Sequence, residues 1–293
     1  MVTRNDIVDA VYNTLYSHGV VMDRPGWLTS SVTSGDLTFQ VNSGTNFSVG
    51  LAEIDDEMVW VDSVSGNALT LAPFGRGYQS TIAAAHSSNA KITSNPRVSR
   101  ASIVRTLANV VGRLYPTLYA VKTFDFVMNG VEWAYDIPAD AEGILKVEWE
   151  PLANVDKIWP EVYMYQFDVN SGASATGKSL VLGQAPETGS TVRVTYKAQF
   201  TPLATGATTL TTAGMSDSCQ DLLTFACASD HLRALEPARS RLQTVENVSR
   251  AQVVETGAAA DAANSYYAMY QQRLAEERRS LLLRYPVSMK FQR

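Results

Sequence analysis

Apolar residues recur three and four positions apart in four separate stretches of the chain, the spacing of a helix with one buried face. The first runs from Thr3 to His18: Thr3 and Asp6 have cap-box-like spacing, Ile7, Val8, Val11 and Leu15 form the stripe, and Gly19 supplies the stop. The second, Ser99 to Tyr115, opens on a serine suited to an N-cap, carries Ile103, Val104, Leu107, Val110, Val111 and Leu114, and is closed by Pro116. In the third, Ser216 to Leu235, the stripe is Leu222, Leu223, Phe225, Ala226 and Leu232, and Pro237 is predicted to end it. The fourth, Ala258 to Arg284, contains neither proline nor glycine and sets Ala262, Tyr266, Met269, Tyr270, Leu274 and Leu281 on or near one side. Tyr285-Pro286 then halts helix propagation, and VSMKFQR alternates as a strand does.

Between these helices the period changes to two. Over residues 27 to 94, DLTFQV places Leu37, Phe39 and Val41 on one side, EMVWV and NALTLA continue the alternation, and Ser65-Gly66-Asn67 reads as a hairpin turn; a small barrel or sandwich is predicted. Residues 118 to 200 repeat the behaviour with more aromatic strands, VEWAYDI, GILKVEWE, EVYMYQF, KSLVL and STVRVTYKA, and Val192, Val194 and Tyr196 face one way, as in a sandwich. The uncharged TPLATGATTLTTAG at 201 to 214 reads as a linker or surface arm, and 238 to 256 as mixed sequence that a broken helix would suit. No repeat of fixed period is visible, although two helix-then-strand blocks follow one another. The predicted plan is α+β: helical residues 1–26, 97–117 and 215–284, a small β-domain at 27–96, a β-sandwich at 118–200, the linker, and an extended C-terminal tail at 285–293. With 293 residues, two or three compact units are expected.

Composition adds limits. At 45% hydrophobic and 18% charged the chain is of ordinary globular character, and a net charge of −5 gives no global reason to bind nucleic acid or an anionic membrane. No window approaches the roughly 20 apolar residues that span a bilayer, and the first residues lack a signal-peptide core, so a protein made in a cytoplasm, or packaged from one, is expected. Cys219 and Cys227 fall in one predicted helix, on the order of 12 Å apart, too far to bridge. Reduced, packed thiols follow, with neither a disulfide framework nor a zinc site.

Candidate chemistry is sparse. His18, His86 and His231 stand in no catalytic signature, and no catalytic, cofactor-binding or metal residue is assigned; a non-enzymatic protein without cofactor is expected. Glu53, Asp55, Asp56, Glu57 and Asp62 have the chemistry to hold a hard cation, but strand alternation would send them to different faces of a solvated edge. Phe74-Gly75-Arg76-Gly77-Tyr78 resembles a phosphate cradle only in composition and reads as a turn. The last residues hold Arg273, Arg278, Arg279, Arg284, Lys290 and Arg293 against Glu276 and Glu277, a basic end on an acidic protein suited either to solvated ion pairs or to an acidic partner. Tyr285, Val287, Met289 and Phe291 alternate there, which suits strand addition to a neighbour. Trp133, Trp149, Trp159, Tyr163 and Tyr165 on the aromatic strands read as core or, as the alternative, a sugar platform.

Three phrases together, PFGRGYQSTIAAAH, VSRASIVRTLANVVGRLYP and YYAMYQQRLAEERRSLLLRYP, resemble those of the head-to-tail connector (adaptor) proteins of tailed bacteriophages. The resemblance implies a four-helix bundle carrying two β-rich insertions, assembled as a ring, typically a dodecamer, below the portal protein. It also implies a DNA channel through which DNA passes without specific binding, a further contact with the next tail or neck component, and a place in the neck of the virion after assembly in the host cytoplasm. Arg273, Arg278, Arg279, Arg284, Tyr285, Phe291 and Arg293 would then meet the portal or a neighbouring copy, and Tyr266, Tyr267 and Tyr270 would lie at helix contacts between copies. Other roles open to the same chain are a minor tail or tail-completion protein and a glycan-binding or glycan-degrading tail protein.

Overall fold

A computed structural model describes residues 1–17, 25–152, 158–172, 174–183, 186–243 and 258–286, with side chains throughout except at 235–243 and 258. The chain divides into two compact units, one of Arg4–Val110 with Asp221–Tyr270, the other of Met1–Thr3, Val111–Gln220 and Gln271–Arg293.

In the first unit α1 (Arg4–Ser17) buries Ile7, Val8, Val11 and Leu15 completely, each worth about 1.5–3 kcal/mol of apolar burial. Six strands follow: β1 (Pro25–Trp27), β2 (Thr38–Gln40), β3 (Gly50–Ile54), β4 (Glu57–Ser65), β5 (Ala68–Leu71) and β6 (Lys91–Ser94). They form one antiparallel sheet in the order β1-β6-β3-β4-β5-β2. Its two edges meet through a bridge between Leu28 and Val41, with Thr29 N–H donating to Gln40 O at 2.8 Å and Asn42 N–H to Trp27 O at 2.9 Å. The sheet thereby closes as a small barrel, which removes its open edges. Leu28, Phe39, Val41, Ala52, Ile54, Val59, Val61, Leu69 and Ile92 fill the interior. The β4–β5 hairpin turns at Gly66, whose φ of 58° a side chain would resist.

α2 (Arg100–Leu114) comes next in the chain, then six more strands: β7 (Ala120–Val127), β8 (Ala134–Asp136), β9 (Gly143–Glu150), β10 (Tyr165–Asp168), β11 (Ser179–Leu182) and β12 (Thr191–Ala198). In the second unit they make two three-stranded antiparallel sheets, β7-β12-β9 and β10-β11-β8, around a shared core of Tyr135, Ile137, Val147, Leu180, Leu182, Val192, Val194 and Tyr196. The 201–214 stretch, predicted as a linker, is packed instead. Leu210 and Ala213 are fully buried, Leu210 N–H donates to Val2 O at 2.9 Å, and Thr3 bridges Thr209.

The helices depart from the predicted plan. A four-helix bundle with two β insertions does not form: helix accounts for only about 30% of the chain, and both units mix sheet with helix. The boundary between the units falls within α2, within α3 (Cys219–Gln243) and within α4 (Ala258–Arg284). Polar anchors give the reason on the barrel side. Arg4 at the start of α1 pairs with Asp56, Arg100 of α2 pairs with Asp9 of α1, and Glu53 Oε1 of β3 accepts from the Ala101 N–H in the first turn of α2 at 3.1 Å. These contacts tie α1 and α2 to the barrel. Pro237 does not end the third helix, which runs on to Gln243; one lost backbone hydrogen bond weakens a helix without obliging it to stop. His18, Gly19, and 244 to 256 of the mixed stretch lie outside the described residues, as do Val287, Met289, Lys290, Phe291 and Arg293.

Candidate functional site

The barrel holds a buried ionic clasp that the sequence reading did not anticipate. Glu57, 1% exposed at the start of β4, accepts from Arg76 Nε at 2.8 Å and Nη2 at 3.0 Å, from the N–H groups of Gly77 at 2.9 Å and Ala84 at 3.0 Å, and from His86 Nε2 at 2.9 Å. Arg76 spends its remaining hydrogens on carbonyl oxygens: Nη1 on Thr33 at 2.6 Å and Asp36 at 2.9 Å, Nη2 on Ala84 at 2.5 Å. The guanidinium also lies 5.2 Å from the centroid of the Phe39 ring. His86 donates from Nδ1 to Asp55 at 2.8 Å. Burial alone would raise the Glu57 carboxyl, but the hydrogen bonds from His86, Arg76, Ala84 and Gly77 override it and hold it at about 2. Burial likewise opposes a charge on His86, while Asp55 and Glu57 raise it to about 9. Every hydrogen of the guanidinium has a partner within the fold, so the Arg76 side chain has no donor left for a phosphate. A Cβ on Gly75 would stand 2.6 Å from Trp60 O, which fixes glycine there.

The acidic run is therefore not a solvated strand edge. Asp55 and Asp56 form the two-residue turn of the β3–β4 hairpin, Asp55 in the left-handed region at φ 51°, and Glu53 and Glu57 are buried on either side of it. Each of the four carboxylates faces a basic side chain or a helix N–H. Among the described residues, no three His, Cys, Asp or Glu side chains group as metal ligands. His231 is held neutral by burial, and the thiol of Cys219 is pushed up to about 12 by burial and by Glu277; both cysteines are buried and free.

Basic residues at the end of α4 divide into two sets. Arg273 pairs with Glu276 at 2.6 Å and donates to Ser218 O at 3.2 Å. Arg278, Arg279 and Arg284 are exposed and, among the described residues, make no ion pair. Beside them Leu283 is 75% exposed, and Leu274, Ala275, Arg278, Arg279, Leu282 and Leu283 line a groove of about 540 Å³. Tyr285 borders a second cavity of the same unit, of about 530 Å³, with Leu281 and Phe200. Of the tyrosines expected at contacts between copies, Tyr266 stacks on Phe225 at 5.9 Å, Tyr270 is buried, and exposed Tyr267 lies under Arg233 at 4.6 Å.

The aromatic strands also divide. Trp149 and Tyr165 pack on the sandwich core, and Trp159 lies under the Arg193 guanidinium at 4.4 Å. Trp133 is 68% and Tyr163 71% exposed, in company with Val131, Leu152, Ile158 and Met164. These residues sit on two connections, β7–β8 and β9–β10, which meet the β11–β12 connection at one end of the sandwich. Gly189 N–H donates to Met128 O at 2.8 Å, Leu182 N–H to Trp133 O at 3.2 Å, and Gly183 N–H to Met164 O at 2.8 Å. The signal that finds them is apolar residues inside turn-rich connections such as MNGVEW and EPL, where packing does not demand them.

No protein-family model matches the chain, and a search of curated proteins finds no similar sequence. Among the described residues, no helix is long and apolar enough to cross a membrane.

Proposed function

We propose that this chain is a structural assembly protein, specifically a head-to-tail adaptor of a tailed-phage particle that forms a ring below the portal, joins capsid to tail and surrounds part of the DNA channel. The observation that carries this reading is the end of α4, where three arginines that make no ion pair among the described residues flank exposed leucines. Side chains of this kind are enriched at interfaces, and an isolated protomer has no use for them. The resemblance of VSRASIVRTLANVVGRLYP and YYAMYQQRLAEERRSLLLRYP to adaptor helices gives the particle, the portal and the virion neck as the setting. A net charge of −5 suits a conduit that DNA crosses without being held. The role is mechanical, with no reaction and no cofactor.

The test is to mix the purified chain with portal rings and weigh the product, then repeat with residues 285–293 deleted. A portal complex lost on deletion, with the thermal melt unchanged, is expected. A chain that ignores portal rings, or that immunogold labelling finds at the distal end of the tail, would favour the minor tail protein reading instead.

A further inference from the structure

We infer that the cleft between the polar flank of α1 and the outer face of β3 and β6 is a binding site for a neutral saccharide. This goes beyond the assembly role and does not rest on it. The cleft encloses about 610 Å³ and is lined wholly from the first unit, by α1, β3, β6, the Asp55–Asp56 turn and the start of α2. Sites for small ligands have volumes of this order.

The helical repeat builds one wall. Asn5, Asp9, Tyr12, Asn13 and Tyr16 recur at spacings of three and four, so they form a flank of α1 beside its buried stripe of Ile7, Val8, Val11 and Leu15. On β6, Lys91 and Thr93 alternate with Ile92, which fills the barrel, and both therefore stand on the outer face that forms the other wall. Polar groups on both walls are uncommitted. Thr93 is only 5% exposed, yet its hydroxyl makes no hydrogen bond among the described residues. The Asn5 and Asn13 amides, each a donor and an acceptor, make none there either.

Charge decides the class of ligand. Asp9, Glu53, Asp55 and Asp56 line the cleft with Lys91 and Arg100. Asp9 is answered by Arg100, Asp56 by Arg4, Asp55 by His86 and Glu53 by the Ala101 N–H, while the Lys91 ammonium stands 5.5 Å from the centroid of the Tyr12 ring. With Arg4 and a protonated His86 counted, the four carboxylates meet four cations, so the cleft selects neither an anion nor a cation. Its free groups are uncharged amides and a hydroxyl, beside the ring of Tyr16, which is 62% exposed. A pyranose fits that set: hydroxyls to exchange hydrogen bonds with the amides and Thr93, and a C–H face to lie on a tyrosine.

A glycan array followed by calorimetry tests this. The purified, labelled chain is applied to immobilised mono- and oligosaccharides of hexoses, deoxyhexoses and N-acetylhexosamines, with sulfated and sialylated sugars beside them, and the strongest hit is titrated. Binding of a neutral sugar is expected, weakened by about tenfold or more by Thr93→Val and by the pair Asn5→Ala with Asn13→Ala, at unchanged melting temperature. Should Thr93→Val lower the melt, the exposed asparagine pair decides alone. An array without a bound sugar overturns the site, as does binding that all three substitutions leave intact. Hits confined to the sulfated and sialylated sugars and lost at high salt overturn it in favour of a charged surface. A hit lost in Trp133→Ser but kept in the asparagine variants places the sugar on the sandwich and overturns it too. None of these outcomes bears on portal binding, so this site and the adaptor reading fail separately.

Discussion

In the barrel unit a carboxylate with almost no solvent exposure receives five hydrogen bonds, and the arginine that supplies two of them has every donor engaged; in the sandwich unit a tryptophan stands largely in water beside a glutamate. The two regions spend polar and apolar groups in opposite ways. A small barrel whose loop 73–86 contributes little apolar packing fastens that loop with a saturated ion network, which brings specificity of shape rather than a surface for partners. The sandwich closes its core with Tyr135, Leu180, Val192 and Val194 and still leaves large apolar side chains outside. Surplus of that kind is a mark of assembly.

The comparison is broken most forcefully at Glu57. Glu57→Ala strands the Arg76 guanidinium without its counter-charge, and a loss of about 3–5 kcal/mol in urea denaturation is expected. A loss below about 1 kcal/mol would show the clasp to be ornamental.

pH dependence follows next in size. Because His86 is raised from 6.5 to about 9, its contribution is complete below pH 6.5 and disappears as pH climbs through 9. A fall on the order of 3 kcal/mol between about pH 6 and pH 10 is expected in the barrel transition, and a His86→Asn variant should flatten it. Glu57 acts in the other direction: lowered from 4.5 to about 2, it contributes fully above pH 4.5, and that contribution is lost as pH falls through 2. A flat profile across both windows contradicts the network.

Gly75→Ala drives a methyl against Trp60 O and should cost about 2 kcal/mol, read as a lower melting temperature with the barrel transition still cooperative. Smallest in stability are substitutions of the exposed aromatic residues of the sandwich. Trp133→Ser and Tyr163→Ser should move the denaturation midpoint by no more than about 0.5 kcal/mol while reducing self-association, so the two regions separate cleanly by which property responds.

Helices were the legible part of this chain. The stripe Ile7, Val8, Val11, Leu15 is buried as spaced, and α4 runs from Ala258 to Arg284 because nothing in that stretch breaks it. How helices group was not legible, since a stripe says that a face is covered and not by what; the anchors that decide it, Glu53 to Ala101 and Arg4 to Asp56, join residues about fifty positions apart. Period two misled at Glu53 to Glu57, where a two-residue turn lets both glutamates go inward. The chemistry of the clasp is carried by single residues, Glu57, Arg76 and His86, with no spacing to mark them. Residues 201–214 look like a linker because threonine, glycine and alanine carry no charge, yet one leucine and one alanine there are enough to seat the stretch.

Native mass spectrometry of the purified chain, run beside its Leu283→Asp variant, bears most directly on the claim that the sandwich unit assembles copies. The account predicts a closed multiple of 31.9 kDa for the wild type and a single copy for the variant, with identical denaturation midpoints. A wild-type chain that stays at 31.9 kDa at every concentration, or a variant that assembles as well as its parent, would contradict it.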